Sequence, residues 1–295
     1  TLGGMKEMSR YELAAQVEGI IKDFVRRHPD NSLKDPSNER AWDEPIVGFS
    51  SGADELYEFY KDHIGPFHWT PHEIFSLTFP DVSGVSPKDL AVICWILPQT
   101  EATKADNRKE RVYPSERWVR ARVFGEEANE SLRRHVVSAL EAKGYKAVAP
   151  VLSPFWSRET SPRFGRASRW SERHAAYASG LGTFGLCDGL ITPLGKAMRV
   201  GSVVALMDLP PTPRPYSDHR QYCLFFSDGT CGKCISRCPV GAITKEGHDK
   251  EKCYQHVHVA AAAYAKAKFG IDGLGCGLCQ TDVPCESRIP TAEDV

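Results

Sequence analysis

The sequence predicts an α+β fold with a separate cysteine-rich module at its C-terminal end, and three observations carry that expectation. Residues 90–97 read Leu-Ala-Val-Ile-Cys-Trp-Ile-Leu, a continuous apolar run stopped by Pro98. Its length suits a buried central strand better than a helix. Around it lie amphipathic stretches at helical spacing, so the upstream part mixes helices with strands. Eight of the ten cysteines then crowd between Cys223 and Cys285.

The elements follow in order. Ser9-x-x-Glu12 is a capping box, and Leu13, Val17, Ile20, Ile21 and Phe24 recur at helical spacing as far as His28-Pro29. Residues 29–45 are polar and broken by prolines, a loop. Residues 45–50 suit a short strand. Residues 53–63 suit a helix with Leu56, Phe59 and Tyr60 on one face. Residues 100–116 are charged and expected to be exposed. A long helix is expected over 126–143, with Leu132, Val136, Ala139 and Leu140 as its stripe and Gly144 just past its end. A strand follows at 146–152. Residues 153–168, rich in Ser, Pro, Arg and Gly, suggest a long functional loop. A helix at 171–179 leads into a glycine-dense segment, and 200–207 is another apolar strand. A last helix, 260–268, lies inside the cysteine-rich part. The expected division is 1–84, mostly helical; 85–215, an α+β core; and 216–295, the cysteine module.

Composition excludes several classes of partner. The 295 residues carry 37 Lys+Arg against 38 Asp+Glu, a net charge of -1. Such a chain has no bulk attraction to nucleic acid or to anionic membrane, and neither partner is expected. No apolar run approaches the ~18–20 residues of a spanning helix. Lys6 and Glu7 stand where the apolar core of a secretion signal would begin. The expected location is cytoplasmic.

The cysteines form two sets of four: Cys223, Cys231, Cys234 and Cys238, then Cys253, Cys276, Cys279 and Cys285. Gaps of two and three residues favour metal over the disulfides of small secreted domains. The run Cys231-x2-Cys234-x3-Cys238-Pro239 is the back half of the bacterial two-cluster ferredoxin pattern, in which the Cys before Pro ligates the other cluster. Applied here, Cys223, Cys231, Cys234 and Cys285 hold a first 4Fe-4S cluster, and Cys238, Cys253, Cys276 and Cys279 a second. The chain departs from that pattern in the long gap before Cys231 and the long gap after Cys253. A three-iron or lost cluster is the alternative, as is zinc for the thiolates. Cys94 lies in the apolar run and reads as a small buried hydrophobe. Cys187 reads either as a packed thiol or as part of a site.

Gly180, Gly182, Gly185 and Gly189 let the backbone approach a flat ligand, or another chain segment, closely. They follow a helix, not a strand, so a dinucleotide fingerprint does not fit. Gly-Leu-Gly at 180–182, Gly-Leu-Ile-Thr-Pro at 189–193 and Arg-Val-Gly-Ser at 199–202, followed by the cysteine sets, resemble the corrinoid-dependent iron–sulfur reductases. That superfamily comprises reductive dehalogenases and epoxyqueuosine reductases, and the resemblance spans about residues 85–290.

The resemblance implies a nitroreductase-like, cobalamin-binding core beside a two-cluster ferredoxin-like module. In that scheme a ferredoxin or flavodoxin supplies single electrons, and two 4Fe-4S clusters carry them to cobalt, giving Co(I). The corrinoid would lie against Gly180, Gly182, Thr183, Phe184, Cys187, Gly189, Leu190 and Thr192. Two departures matter. Epoxyqueuosine reductases place an acid six positions before their Glu-Arg pair, and counting back from Glu172 reaches Arg166. The basic loop residue of reductive dehalogenases falls on Leu186. Tyr177 and Cys187 remain as catalytic candidates. His174 shares a helical face with Tyr177, Arg163, Arg166 and Arg169 could meet an anion, Trp156 and Trp170 flank their loop, and His256 and His258 lie near Cys253. The expected function is an oxidoreductase, a corrinoid iron–sulfur reductase of unidentified substrate. The alternatives are a redox partner that activates the corrinoid of another protein, or a plain electron-transfer protein.

Overall fold

The structure, a computed structural model, describes residues 8–294. Helix α1 (Arg10–Arg27) starts at the expected box: Ser9 Oγ accepts from Glu12 N, and Glu12 accepts from Ser9 N at 2.8 Å. Strand β1 (Ile46–Ser51) follows, then α2 (Glu55–Ile64) and α3 (Pro71–Thr78). Helix α3 is an addition to the expected elements, although its signal was present: Thr70 and Glu73 form a capping box around Pro71. Strand β2 (Leu90–Pro98) is the apolar run, and all of it is buried.

Four expectations change in the middle of the chain. Residues 100–116 are not simply exposed, because α4 (Glu101–Lys109) buries Thr103 and Asn107. Helix α5 (Glu116–Glu141) begins ten residues before the apolar stripe predicts, capped by Ser115. Its added turns pack Val119 with Ala265 and Ile271, residues far away in sequence, so no local periodicity marked them. Strand β3 is only Ala147–Val148, ended by Pro150 in a 3-10 turn. The supposed loop at 153–168 holds a hairpin of β4 (Arg158–Ser161) and β5 (Gly165–Ser168).

Helix α6 (Glu172–Ala178) leads to the short hairpin β6 (Thr183–Phe184) and β7 (Leu190–Ile191), then to β8 (Met198–Leu206). The main sheet runs β1-β2-β8-β3 and is antiparallel throughout, with Leu90 opposite Leu206 and Pro98 opposite Met198. Both faces of β2 are covered, which explains its unbroken apolarity. Ala91, Ile93, Trp95 and Leu97 pack with Val17, Ile21, Leu132 and Val136 of α1 and α5. Leu90, Val92, Cys94 and Ile96 pack with Tyr57, Ile74 and Ala175 from α2, α3 and α6. The mixed helix and sheet class is as expected, and Cys94 is fully buried core.

Two polar ties hold the layers in register. Trp95 Nε1 donates to Asn129 Oδ1 at 3.0 Å, and Asn129 Nδ2 donates to Val200 O at 3.0 Å. Arg133, 2% exposed, pairs with Glu126 at 3.1 Å and with Glu172 at 3.0 Å. The two carboxylates that face this buried cation offset its desolvation. Gly201 sits opposite Trp95, and a Cβ there would lie 2.4 Å from the indole. A Gly201→Ala substitution is therefore expected to cost roughly 1–3 kcal/mol by overpacking. The midpoint of urea unfolding checks it, and an unchanged midpoint would show that Trp95 moves freely.

Candidate metal centre

The cysteine module is short turns and helices that aim sulfurs inward. Cys223 precedes α7 (Leu224–Ser227), and Cys234 sits in α8 (Lys233–Arg237), which Cys238 ends. A small hairpin, β9 (Ile243–Thr244) with β10 (Gly247–His248), leads to α9 (Lys250–Gln255), which carries Cys253. One π turn and α10 (Ala261–Phe269) follow, stopped by the left-handed Gly270. Cys276 and Cys279 flank Gly277, whose φ of 66° and close approach to the Trp118 indole leave no room for a side chain.

These turns gather the thiols across long sequence distances. Cys223, Cys231, Cys234 and Cys285 line one cavity, together with Leu186, Ile191 and Lys196. Cys276 lies instead among Cys253 and Cys238, and burial with their proximity pushes its thiol up to about 12. Cys279 is a neighbour of Cys276 and is also pushed up, first by its contact with Cys187 and then by burial. Burial likewise raises Cys285. All ten cysteines are free thiols. Crowded, buried thiols resist deprotonation in the absence of a cation, and a metal centre supplies one. Among the described residues no three Cys, His, Asp or Glu side chains meet closely enough to share a single ion. A cubane takes one thiolate per iron, so its sulfurs surround a core without meeting at one point.

The module is bolted to the core by polar contacts that carried no recognisable motif. Arg237 is buried and donates to the carbonyls of Leu278, Thr281, Glu110 and Asn107. Asn107 Nδ2 donates to Thr281 Oγ1 at 3.1 Å, while its Oδ1 accepts from Ser115 N at 3.0 Å. Arg108 grips the buried Glu286 beside Cys285. The only hint in the sequence was polar side chains on helix turns that pattern alone assigns to solvent.

The glycine-dense segment lies between core and module. Leu181 and Leu190 join the core, whereas Leu186, Cys187 and Ile191 join Cys223, Cys234 and Cys285 in an apolar cluster. Its glycines meet protein. A Cβ on Gly182 would lie 2.2 Å from Ile191 O, and one on Gly180 would lie 2.7 Å from Pro213 O. Gly185 packs on Ile191 and Gly189 on Lys196. Of the two uses foreseen for these glycines, close approach of another chain segment accounts for Gly180 and Gly182. Thr183, Leu190 and Thr192 are fully buried. Phe184 and Gly189 stay partly accessible, and Phe184 faces Tyr177, which stacks on Tyr216. Cys187 is buried, and its Sγ accepts from Lys196 Nζ at 3.4 Å.

Other candidates have structural partners. Arg166 pairs with Glu251 at 3.0 Å and lies over the Tyr254 ring, Arg163 reaches His63, and Arg169 pairs with Glu159. Trp170 Nε1 donates to Ser202 Oγ, and Trp156 Nε1 donates to Trp170 O. His258 stacks on Tyr254 and His256 on Tyr113. His174 accepts or donates at Ser171 Oγ and sits edge-on to Tyr60, with burial pushing its pKa down.

Comparison with known proteins follows this geometry. No family model matches the chain. An epoxyqueuosine reductase of Bacillus anthracis is 30% identical over 119 residues, which is 39% of this chain and 29% of that protein. One of Gloeobacter violaceus is 33% identical over 125 residues, 40% of this chain and 36% of that protein. The aligned stretches thus span about a third of these curated relatives. An epoxyqueuosine reductase structure from Bacillus subtilis, with its catalytic loop swung out of the active site, matches at a TM-score of 0.50 and 16% identity, covering 96% of this chain and 68% of that one. Another, solved with an epoxyqueuosine-modified tRNA-Tyr stem loop, matches at 0.49 and 16% identity, covering 94% of this chain and 66% of that one. The fold is similar to that of the epoxyqueuosine reductases, a mixed helix and sheet core followed by a cysteine-rich part. In sequence and fold the chain is epoxyqueuosine reductase-like, as its ordered motifs predicted. The expectation against nucleic acid rested on bulk charge alone, which leaves a local binding site open. No helix among the described residues is long and apolar enough to cross a membrane.

Close to α6, His68 is 2% exposed and neither ring nitrogen has a hydrogen-bond partner among the described residues. Burial holds its pKa down at about 4, against an ordinary 6.5. Between those values the unfolded chain takes up a proton that the folded chain refuses. Stability is therefore expected to fall as pH drops from 6.5 to 4 and to level off below, by roughly 3 kcal/mol for this residue. A His68→Phe variant should flatten that part of the profile, measured as the urea midpoint against pH. An equal slope in both proteins would refute the assignment.

Proposed function

We propose that this chain is an iron–sulfur oxidoreductase that holds two 4Fe-4S clusters and delivers single electrons to a corrinoid. The observation that carries the reading is where Cys285 and Cys238 lie. Cys285, last in sequence, lines the cavity of Cys223, Cys231 and Cys234, while Cys238 sits with Cys253 and Cys276. Such a placement supports a ligand exchange like that of two-cluster ferredoxins. On this reading the first cluster takes Cys223, Cys231, Cys234 and Cys285, and the second takes Cys238, Cys253, Cys276 and Cys279. The buried surroundings exclude water and tune the potential. A ferredoxin or flavodoxin is the proposed donor.

The corrinoid part rests on the epoxyqueuosine reductase likeness. When bound, a corrinoid supplies a strongly reducing metal centre. The chain's own contribution would be the partly accessible aromatic surface of Tyr177 and Phe184, with Gly189 beside it, against which a large flat group can lie. Epoxyqueuosine in a tRNA stem loop, the substrate that the relatives' names indicate, is the first to test. A second reading, reductive activation of another protein's corrinoid, is favoured by a specific observation. Arg166, standing where an acid was expected, is committed to Glu251 and Tyr254, and Leu186 is buried among the thiols.

Anaerobic reconstitution should give about eight irons and eight sulfides per chain. Cys285→Ser and Cys238→Ser should each deplete a different cluster, seen as two distinct paramagnetic signals, whereas Cys94→Ala should keep the full complement. Four or fewer irons in the parent protein would sink the two-cluster reading. Added cob(II)alamin should bind with a changed visible and paramagnetic spectrum. If it does not, the activator reading gains, and reduction of a separately purified corrinoid protein becomes the deciding assay.

A further inference from the structure

Lys196 is 3% exposed, although its ammonium has no carboxylate within ion-pair distance among the described residues. Its backbone N–H donates to Cys285 O at 2.8 Å, and its Nζ donates to Cys187 Sγ at 3.4 Å. Its stem is held by Gly189, where a Cβ would come within 3.0 Å of the lysine Cδ. The side chain lines the same cavity as Cys223, Cys231, Cys234 and Cys285. The Cys187 thiol beneath it packs in one apolar cluster with Cys234 of one set and Cys279 of the other. A lysine ammonium desolvated without an anion is costly enough that such residues are rarely found buried. The nearest candidates for its counter-charge are sulfurs.

We propose that Lys196 is a positioning residue for electron transfer: docked on Cys187 at the junction of the two thiol sets, it holds a fixed positive charge beside the clusters and makes the adjacent cluster easier to reduce. The inference rests on the two-cluster reading above. A 4Fe-4S core of charge 2+ with four thiolates carries a net charge of 2−. One electron from a low-potential donor takes it to 3−, with no bond made or broken and no proton moved. A buried cation stabilises the more negative state, and the low polarity of its surroundings strengthens the effect. Cys187 then acts as an anchor, placing the ammonium without replacing any of the eight ligands. Neither Lys196 nor this use of Cys187 belongs to the ferredoxin spacing.

The test compares reconstituted parent protein with Lys196→Met, Lys196→Arg and Cys187→Ala. Each is assayed for iron and sulfide, then titrated with dithionite and followed by paramagnetic resonance. Lys196→Met should retain about eight irons while the reduction equilibrium of at least one cluster falls tenfold or more, 59 mV for one electron. Lys196→Arg, which keeps the charge, should stay within a few-fold of the parent. Cys187→Ala should move the same midpoint downward by less than Lys196→Met does. Full iron with unchanged midpoints in Lys196→Met overturns the proposal. If that variant fails to load its clusters, Cys187→Ala decides, since an unchanged midpoint there overturns it too. Four or fewer irons in the parent protein would instead defeat the underlying two-cluster reading.

Discussion

The backbone contact between residues 195–197 and 285–286 is the constraint on which the rest of this structure depends. Lys196 N donates to Cys285 O, and Ala197 N donates to Glu286 O at 3.1 Å. One residue further on, β8 enters the central sheet. The last cysteine of the chain is therefore fixed to the lead-in of a core strand, and its sulfur is carried to the cavity lined by Cys223, Cys231 and Cys234, far earlier in the chain. Gly195 has φ +79°, and a Cβ there would lie 2.2 Å from Glu286 O. Any side chain at this position would force the two segments apart. Without the contact, the sulfurs of the first set would have no common wall.

The same logic extends through the segment before it. Phe184 N donates to His219 O and Tyr222 N to Thr183 Oγ1 at 2.9 Å, so the hairpin after α6 grips the stretch that ends in Cys223. One short run of chain thus touches the sheet, the approach to the first thiol and the residue after the last. Arg237 repeats the device from the module side, spending its donors on carbonyls of both partners. Such buried, fully used guanidinium groups are costly to break and leave little freedom between the parts. Rigidity of this kind suits a centre in which electrons move and atoms do not.

How much of this could be read beforehand depends on the range of the interaction. The β2 run, the α1 box and the two cysteine sets were legible because each is a local pattern with a local cause. Cys238 could be assigned to the other set on paper, since a known spacing rule covers the cysteine before Pro239, and Cys285 then completes the first set. The start of α5 was not legible. Trp118 and Val119 are apolar because Gly277, Ala265 and Ile271 pack on them, and these lie more than 140 residues away. The β4–β5 hairpin was hidden for another reason. Its residues are mostly exposed, so no alternation marks its faces. Asn107, Arg237 and Lys196 were missed because a polar residue in a helix or turn defaults to solvent until its distant partners are known.

The segment 180–193 shows how a correct resemblance can rest on residues whose physical reason is different. Its glycines suggested room for a flat ligand, yet the space is taken by Ile191, Lys196 and Pro213. In this structure the segment forms the joint between the core and the cysteine-rich part. Two positions that the resemblance singled out also hold elements together. Arg166 ties the β4–β5 hairpin to α9 through Glu251 and Tyr254, and Leu186 fills the apolar wall behind Cys223 and Cys234. A side chain engaged in holding two elements together is not free to shuttle a proton.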